Sequence, residues 1–174
     1  MKKFLASLIL VAAALLATVT NLNFAKAEAS TDLTTEQINA IKKNCAIIKD
    51  NLKSIQYEDS RVRVHLGRYY DTVQSNFITP LNIALIGNNI SNINLIENQT
   101  NFVTARSKFA SDYIAYQKSL EELVSLDCTI EPVKFYNKLV SVREKRAKVA
   151  NDTTKLRELT EKQVNLVTKL KEVL

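Results

Sequence analysis

The chain has 174 residues and a formal net charge of +6, and it contains only two glycines, two prolines and no tryptophan. So few turn-forming residues exclude a sheet-rich fold with many tight turns and favour long, uninterrupted helices. The composition therefore predicts an all-α protein.

The first 27 residues have the three parts of a secretory signal peptide. Two lysines precede an apolar run over residues 4–17, and a small-residue triplet occupies residues 25–27. This order is typical of a cleaved leader, so we expect one folded domain over residues 28–174. The alternative is an uncleaved membrane anchor, although the run is short beside the about 20 residues that span a bilayer. Cleavage would remove three lysines and no carboxylates, which leaves a net charge of +3.

Apolar residues recur over residues 36–79 at alternating three- and four-residue steps, which predicts the seam of a long helix packed on other helices. The hydroxyl of Thr34 or Thr35 can cap its start, and Pro80 can be absorbed as a kink. Residues 87–89, Gly-Asn-Asn, predict its end because they tolerate the left-handed conformation. The predicted seam contains Ile38, Ile41, Cys45, Ile48, Leu52, Ile55, Val62, Leu66, Tyr69 and Val73, with Asp59 as its polar interruption. Phe77, Leu81, Ala84 and Leu85 keep helical spacing across the proline.

Three helices are predicted in all, over about residues 34–86, 91–127 and 132–174. Short connections reverse the chain between them, so we expect an elongated, antiparallel up-down-up three-helix bundle with coiled-coil packing. The second seam contains Phe102, Phe109, Tyr113, Tyr116, Leu120 and Leu123, with Arg106 among them. The third contains Phe135, Leu139, Val142, Val149, Leu156, Val167, Leu170 and Leu174, interrupted by Arg146, Thr153, Thr160 and Gln163 and widened by Leu159, Val164 and Leu166.

The cysteines predict how the helices are aligned. In an exported chain with two cysteines, Cys45 and Cys128 most simply form one intramolecular disulfide. That bond places Asp59 beside Tyr113, and counting along the third helix brings Arg146 to the same height. We therefore expect a buried polar layer of Asp59, Arg146 and Tyr113. Such a layer fixes register in coiled coils, and the alternative is a functional polar site.

The sequence offers no pattern for catalysis or for binding a metal or cofactor. His65 is the single histidine, and the two glycines are 20 positions apart, too far for a phosphate-binding loop. With both cysteines oxidised, no cluster of ligands has the spacing of a metal site. We therefore expect a protein that is not an enzyme and that needs no cofactor.

The third predicted helix carries a basic run. Arg143, Lys145 and Lys148 could bind a polyanion such as nucleic acid, anionic lipid or an envelope polymer. The alternative is an ordinary solvated helix face, and nucleic acid is not the expected partner.

Residues 61–82, together with Cys128, Pro132 and residues 135–136 and 143–146, resemble segments of uncharacterised exported helical proteins of small-genome candidate-phylum bacteria. The resemblance implies a bacterial exported protein and assigns no activity.

The sequence as a whole predicts an exported structural or protein-interaction coiled coil that acts in the periplasm, at the cell surface or outside the cell. A protein partner is expected, and contact with a membrane only through an uncleaved leader. The alternatives are a holdase-like envelope chaperone and a polyanion-binding protein that uses the basic C-terminal helix.

Overall fold

The computed structural model describes residues 33–90 and 92–172, which are helical over most of their length and include no β-strand. The helices belong to one unit, Thr34–Leu174. The predicted signal peptide over residues 1–27 lies outside the described residues. None of the described helices combines the length and the hydrophobicity that crossing a membrane requires.

Helix α1 (Thr35–Lys43) begins at a capping box. The Thr34 hydroxyl accepts a hydrogen bond from the Gln37 N–H at 3.2 Å, and the Gln37 side-chain oxygen accepts one from the Thr34 N–H at 2.9 Å. These two bonds satisfy N–H groups that a helix start leaves without partners. Helix α2 (Cys45–Thr72) follows after Asn44, whose φ of −101° and ψ of 10° depart from helical values. Backbone hydrogen bonds continue across this residue, so the break is local.

A π-helical segment (Val73–Ile78) joins α2 to helix α3 (Thr79–Gly87). The segment ends two residues before Pro80, which has no N–H to donate. The Thr79 N–H instead donates to the carbonyl of Gln74, five residues back. A π turn is one of the ways in which a helix accommodates a local disruption, so the chain stays helical through the proline.

The π segment also changes which side chains face the core. Ile78 is fully buried, whereas Phe77, which keeps helical spacing with the residues after Pro80, is 64% exposed. A π turn holds one residue more than an α turn, so the step from Val73 to the next buried position is five residues instead of four. Phe77 therefore lies in a helical segment but outside the core.

Two positions earlier in α2 differ from the predicted seam. Tyr69 is 53% exposed while its neighbour Tyr70 is 3% exposed, and Val62 is 53% exposed. The residues that pack into the core before the π segment are Leu66, Tyr70 and Val73. The spacing between them is four residues and then three. Counting three residues from Leu66 selected the tyrosine on the wrong side of the helix.

Helix α3 ends at the predicted Gly-Asn-Asn turn. Asn89 has a φ of 58°, the left-handed conformation that this residue type tolerates. Helix α4 (Ile93–Ser125) then begins at Asn92, whose side chain accepts a hydrogen bond from the Leu95 N–H at 3.2 Å. The amide groups around this turn thus cap the end of one helix and the start of the next.

A short connection over residues 126–131 leads to helix α5 (Pro132–Lys171). Within it an Asp127 carboxylate oxygen accepts hydrogen bonds from the Thr129 N–H at 2.8 Å and from the Ile130 N–H at 3.3 Å. These bonds hold the connection in one conformation. They also lower the pKa of Asp127, with the Thr129 side chain as the largest cause.

The buried core follows the predicted seams closely in α4 and less closely elsewhere. All six apolar residues predicted for the α4 seam are buried, because no bulge or proline interrupts the spacing of that helix. On α5, Val164 is 60% exposed and does not widen the seam as predicted. The two core clusters contain Cys45, Leu52, Tyr113, Tyr116, Leu120, Leu123, Cys128, Phe135 and Val142 in one and Tyr70, Ile78, Phe102, Phe109, Leu156 and Leu159 in the other.

Candidate functional site

The predicted disulfide joins the first residue of α2 to the connection between α4 and α5. The Cα atoms of Cys45 and Cys128 are 5.6 Å apart, and the two residues are 8% and 0% exposed. The structure holds no free cysteine, so this thiol pair offers no nucleophile and no metal ligand. The disulfide joins the start of α2 covalently to the connection between α4 and α5.

Asp59 and Arg146 meet between α2 and α5. Arg146 donates from Nε to one Asp59 oxygen at 2.8 Å and from Nη2 to the other at 2.9 Å, a bidentate pairing. The Asp59 side chain is 19% exposed and the Arg146 side chain 53%, so this pair is not the buried one that the sequence predicted. The arginine reaches Asp59 along the edge of the interface, because its long side chain places the guanidinium at the solvent boundary. Hydrogen bonding to Asp59 raises the pKa of Arg146 above its ordinary value.

The tyrosine that completes this layer is Tyr116 and not the predicted Tyr113. The Tyr116 hydroxyl donates to Asp59 at 2.6 Å. Burial is the largest cause that raises the pKa of Tyr116 above its ordinary value, and this hydrogen bond is the second. The prediction counted helical residues back from Cys128, but α4 ends at Ser125 and the connection after it is not helical. The count therefore missed the correct tyrosine by three residues, almost one turn. Tyr113 instead has its ring centroid 5.3 Å from the Arg63 guanidinium carbon.

The charged groups of the polar layer are paired with each other. Both Asp59 oxygens accept from Arg146, and one of them also accepts from Tyr116. An acid or base that acts on a substrate needs an open side toward that substrate. Asp59 is instead engaged within the layer, where its hydrogen bonds join α2 to both α4 and α5.

The structure does not bring the three predicted polyanion-binding residues onto one surface. Lys145 is half-buried and donates to the hydroxyls of Ser119 at 3.1 Å and Ser141 at 3.2 Å. Arg143 and Lys148 are exposed but lie five positions apart on α5, which places them about 140° apart around the helix. Only two of the three cations face solvent, and they point in different directions.

Sequence reasoning missed a charged cluster between α4 and α5. Lys108 is 2.5 Å from Asp112 and 2.7 Å from Asp152, which is 7% exposed. The lysine is the largest cause of the lowered pKa of Asp112. The sequence could have indicated this cluster, because Asp152 is adjacent to Thr153, one of the polar residues that interrupt the third predicted seam.

The outward side of α2 is the largest feature that the sequence did not predict. All five residues of 61–65 are exposed, and five residues are more than a full helical turn. The buried residues of α2 lie before and after this stretch, at positions such as Leu52 and Tyr70. We call the exposed residues Tyr57, Arg61, Val62, Arg63, Val64, His65, Arg68 and Tyr69 the α2 surface. Val62 and Tyr69 escaped notice because their spacing had assigned them to the core.

The α2 surface combines apolar, aromatic and cationic groups. Tyr57 is 62% exposed, and the Arg61 guanidinium carbon lies 5.7 Å from its ring centroid. Arg61 is also 3.8 Å from Glu58, a solvent-exposed pair of small energetic consequence. The histidine of this surface has no partners for a metal site, since the described residues contain no group of three His, Cys, Asp or Glu side chains that could hold an ion.

Comparison with known proteins gives no match: no family model, curated protein or solved structure is significantly similar to this chain.

Proposed function

We propose that the chain is an exported, non-enzymatic coiled-coil protein that acts as a structural or protein-interaction element of the cell envelope or the exterior. The leader-like residues 1–27 and the disulfide between Cys45 and Cys128 support export, because disulfides persist in oxidising compartments. In this proposal α1 to α3 form the first of three long helices, and α4 and α5 form the second and third.

The contacts between the helices support an antiparallel up-down-up bundle. Glu122 of α4 pairs with Lys138 of α5, and Asn98 of α4 with Gln163 of α5, so residue numbers fall along one helix as they rise along the other. Short connections at residues 88–92 and 126–131 fit the same arrangement.

The α2 surface is the single observation that carries the proposal of protein binding. Tyrosine and arginine dominate the residues that contribute most binding energy in protein interfaces, and this surface presents both around two exposed valines. Arg61, Arg63 and Arg68 lie on it with Glu58 as the exposed carboxylate among them, since Asp59 is engaged by Arg146. The partner that suits this chemistry is an acidic protein segment with apolar side chains.

Site-specific photo-crosslinking tests this proposal. A crosslinking amino acid at Val64, which is 43% exposed, should capture one protein from an envelope extract of the source cells. The matched control carries the same group at Val164 of α5, which is 60% exposed, and should not capture that protein. Replacing Arg61 and Arg68 with glutamate should remove the Val64 adduct. Equal capture from both positions, or none from Val64, would contradict a specific protein-binding surface.

A holdase-like chaperone is the second candidate, because the exposed apolar side chains of the α2 surface would also suit an unfolded client. Suppression of the aggregation of unrelated unfolded proteins would favour it over the adaptor. The polyanion alternative has less support, since Lys145 is held between two serines.

A further inference from the structure

The turn between α3 and α4 lies in an uncharged stretch of the chain. Residues 72–96 contain no Lys, Arg, Asp, Glu or His, although charged residues make up 24% of the sequence. The stretch covers the π segment, α3, the turn and the first residues of α4. A surface built from these residues can enter an apolar phase without the cost of desolvating an ion.

Exposed apolar side chains lie on both helices that meet at this turn. Before the turn, Phe77, Ile83 and Ile86 are 64%, 65% and 61% exposed. After it, Ile93 and Ile96 of α4 are 70% and 39% exposed. We call these five residues the apolar tip. Their side chains face outward, so packing of the core does not explain why they are apolar.

The interior beside the apolar tip contains amides. Asn82 is 4% exposed and donates to the Leu95 carbonyl at 3.2 Å and to the Gln99 side-chain oxygen at 2.5 Å. Asn98 is fully buried and donates to the Gln163 side-chain oxygen at 2.9 Å. These amides lie among the buried Leu85 and Leu95, whereas the isoleucines of the apolar tip are exposed, which is the less usual position for isoleucine in water. Hydrogen bonds between polar side chains hold helices together where the surroundings are apolar.

The last turns of α5 place cations beside the apolar tip. The hydrogen bond from Asn98 to Gln163 holds this part of α5 against the start of α4. Residues 155–172 carry five cations and three carboxylates. Lys162 and Lys169 are exposed and belong to none of the ion pairs among the described residues. Their charge complements anionic lipid headgroups.

We infer that the apolar tip inserts into the surface of a phospholipid bilayer, with the cations of the last turns of α5 against anionic headgroups. An uncharged, isoleucine-rich helical turn with cations behind it has the chemistry of a segment that lies at the boundary of headgroups and acyl chains. The sequence predicted membrane contact only through residues 1–27, so this is a second and independent contact. It does not depend on what the α2 surface binds.

Tryptophan fluorescence tests the insertion directly, because the chain contains no tryptophan and a single introduced one reports only on its own position. The probe is the full chain carrying Ile86→Trp, mixed with vesicles of phosphatidylcholine and phosphatidylglycerol whose acyl chains are brominated. We expect a blue-shifted emission and quenching of the signal by the brominated acyl chains, because an inserted residue lies at the boundary of headgroups and acyl chains. The matched control is Ile130→Trp, at a 76% exposed position in the α4–α5 connection, which should be neither shifted nor quenched.

A second comparison separates insertion of the tip from attachment through the leader. Phe77→Trp should be quenched in the otherwise unchanged chain, and the quenching should be lost when Ile83, Ile86 and Ile93 are replaced with asparagine. A leader that tethers the chain would act equally on both proteins. Equal quenching of Ile86→Trp and Ile130→Trp, or quenching of neither, would overturn the inference. So would a blue shift of Ile86→Trp that grows with protein concentration without vesicles, since the occupant would then be a second copy.

Discussion

At the scale of single residues, Asp59 explains how a carboxylate is accommodated in an otherwise apolar stripe. It accepts two hydrogen bonds from Arg146 and one from Tyr116, so no charge is left without a partner. The sequence predicted the aspartate and the arginine, because both interrupt apolar seams. It did not predict the tyrosine, since the count along α4 started at Cys128, three residues beyond the end of that helix.

The partners of Asp59 predict an asymmetric effect of mutation. Asp59→Ala leaves the hydroxyl of Tyr116, which is 2% exposed, without its acceptor and should lower the free energy of unfolding by about 1–3 kcal/mol. Arg146→Ala leaves an aspartate that can still bind Tyr116 and water, and should lower it by about 1 kcal/mol or less. Urea denaturation of both variants gives the comparison, with Glu58→Ala as the exposed control. Equal losses above about 3 kcal/mol would instead indicate a fully desolvated ion pair.

The disulfide is the second residue-scale prediction. Cys45 and Cys128 are separated by 83 positions, so the bond closes a long loop and restricts the unfolded chain. Replacing both with serine should lower the free energy of unfolding by about 2–4 kcal/mol. Adding a reductant to the wild-type protein should give the same loss in urea denaturation and should have no effect on the double variant. A stability unchanged by either treatment would show that the bond does not form in solution.

At the scale of helices, uninterrupted spacing could be predicted and irregular spacing could not. All six apolar residues predicted for the α4 seam are buried because nothing disturbs its helix, and Leu95, Asn98 and Ser119 are buried in addition. In the first long helix, the π segment before Pro80 adds a residue to one turn and moves the buried face from Phe77 to Ile78. The sequence pattern rests on apolar residues spaced three and four apart, and the π segment produces a spacing of five. The pattern therefore did not predict the π segment.

Glycine inside α2 provides a prediction at this scale. Gly67 lies well within the helix, and a Cβ atom added there would have no heavy atom within 4 Å. Gly67→Ala should therefore raise the free energy of unfolding by about 0.5–1 kcal/mol, because alanine loses less conformational freedom on folding. Gly87→Ala is the matched control, since it has equal space but lies at the last residue of α3 and should gain less. Thermal or urea denaturation measures both, and a loss of stability in Gly67→Ala would count against an open side of α2.

At the scale of the molecule, the sequence predicted the helical fold class and the disulfide, because composition and cysteine count decide them. It did not predict the α2 surface or the apolar tip. Both depend on which side of a helix turns outward, and that was decided by the π segment and by the contacts of α2 with its neighbours. Val62 and Tyr69 were assigned to the seam and lie instead on the α2 surface, and Phe77 lies on the apolar tip.

The central claim is that the α2 surface binds a protein partner. The most direct test is to measure how tightly the partner captured by crosslinking binds variants in which arginines of this surface are replaced with glutamate. Arg61→Glu combined with Arg63→Glu should weaken binding by about tenfold or more, because arginines in an interface commonly contribute over 1 kcal/mol each. The matched control, Arg143→Glu with Lys148→Glu on α5, changes the net charge equally and should leave the affinity within about twofold, as expected for surface changes away from an interface. Equal weakening by the two pairs would mean that net charge alone governs binding, and this would contradict the account. A loss confined to the α5 pair would contradict it as well, since the partner would then bind the basic C-terminal helix.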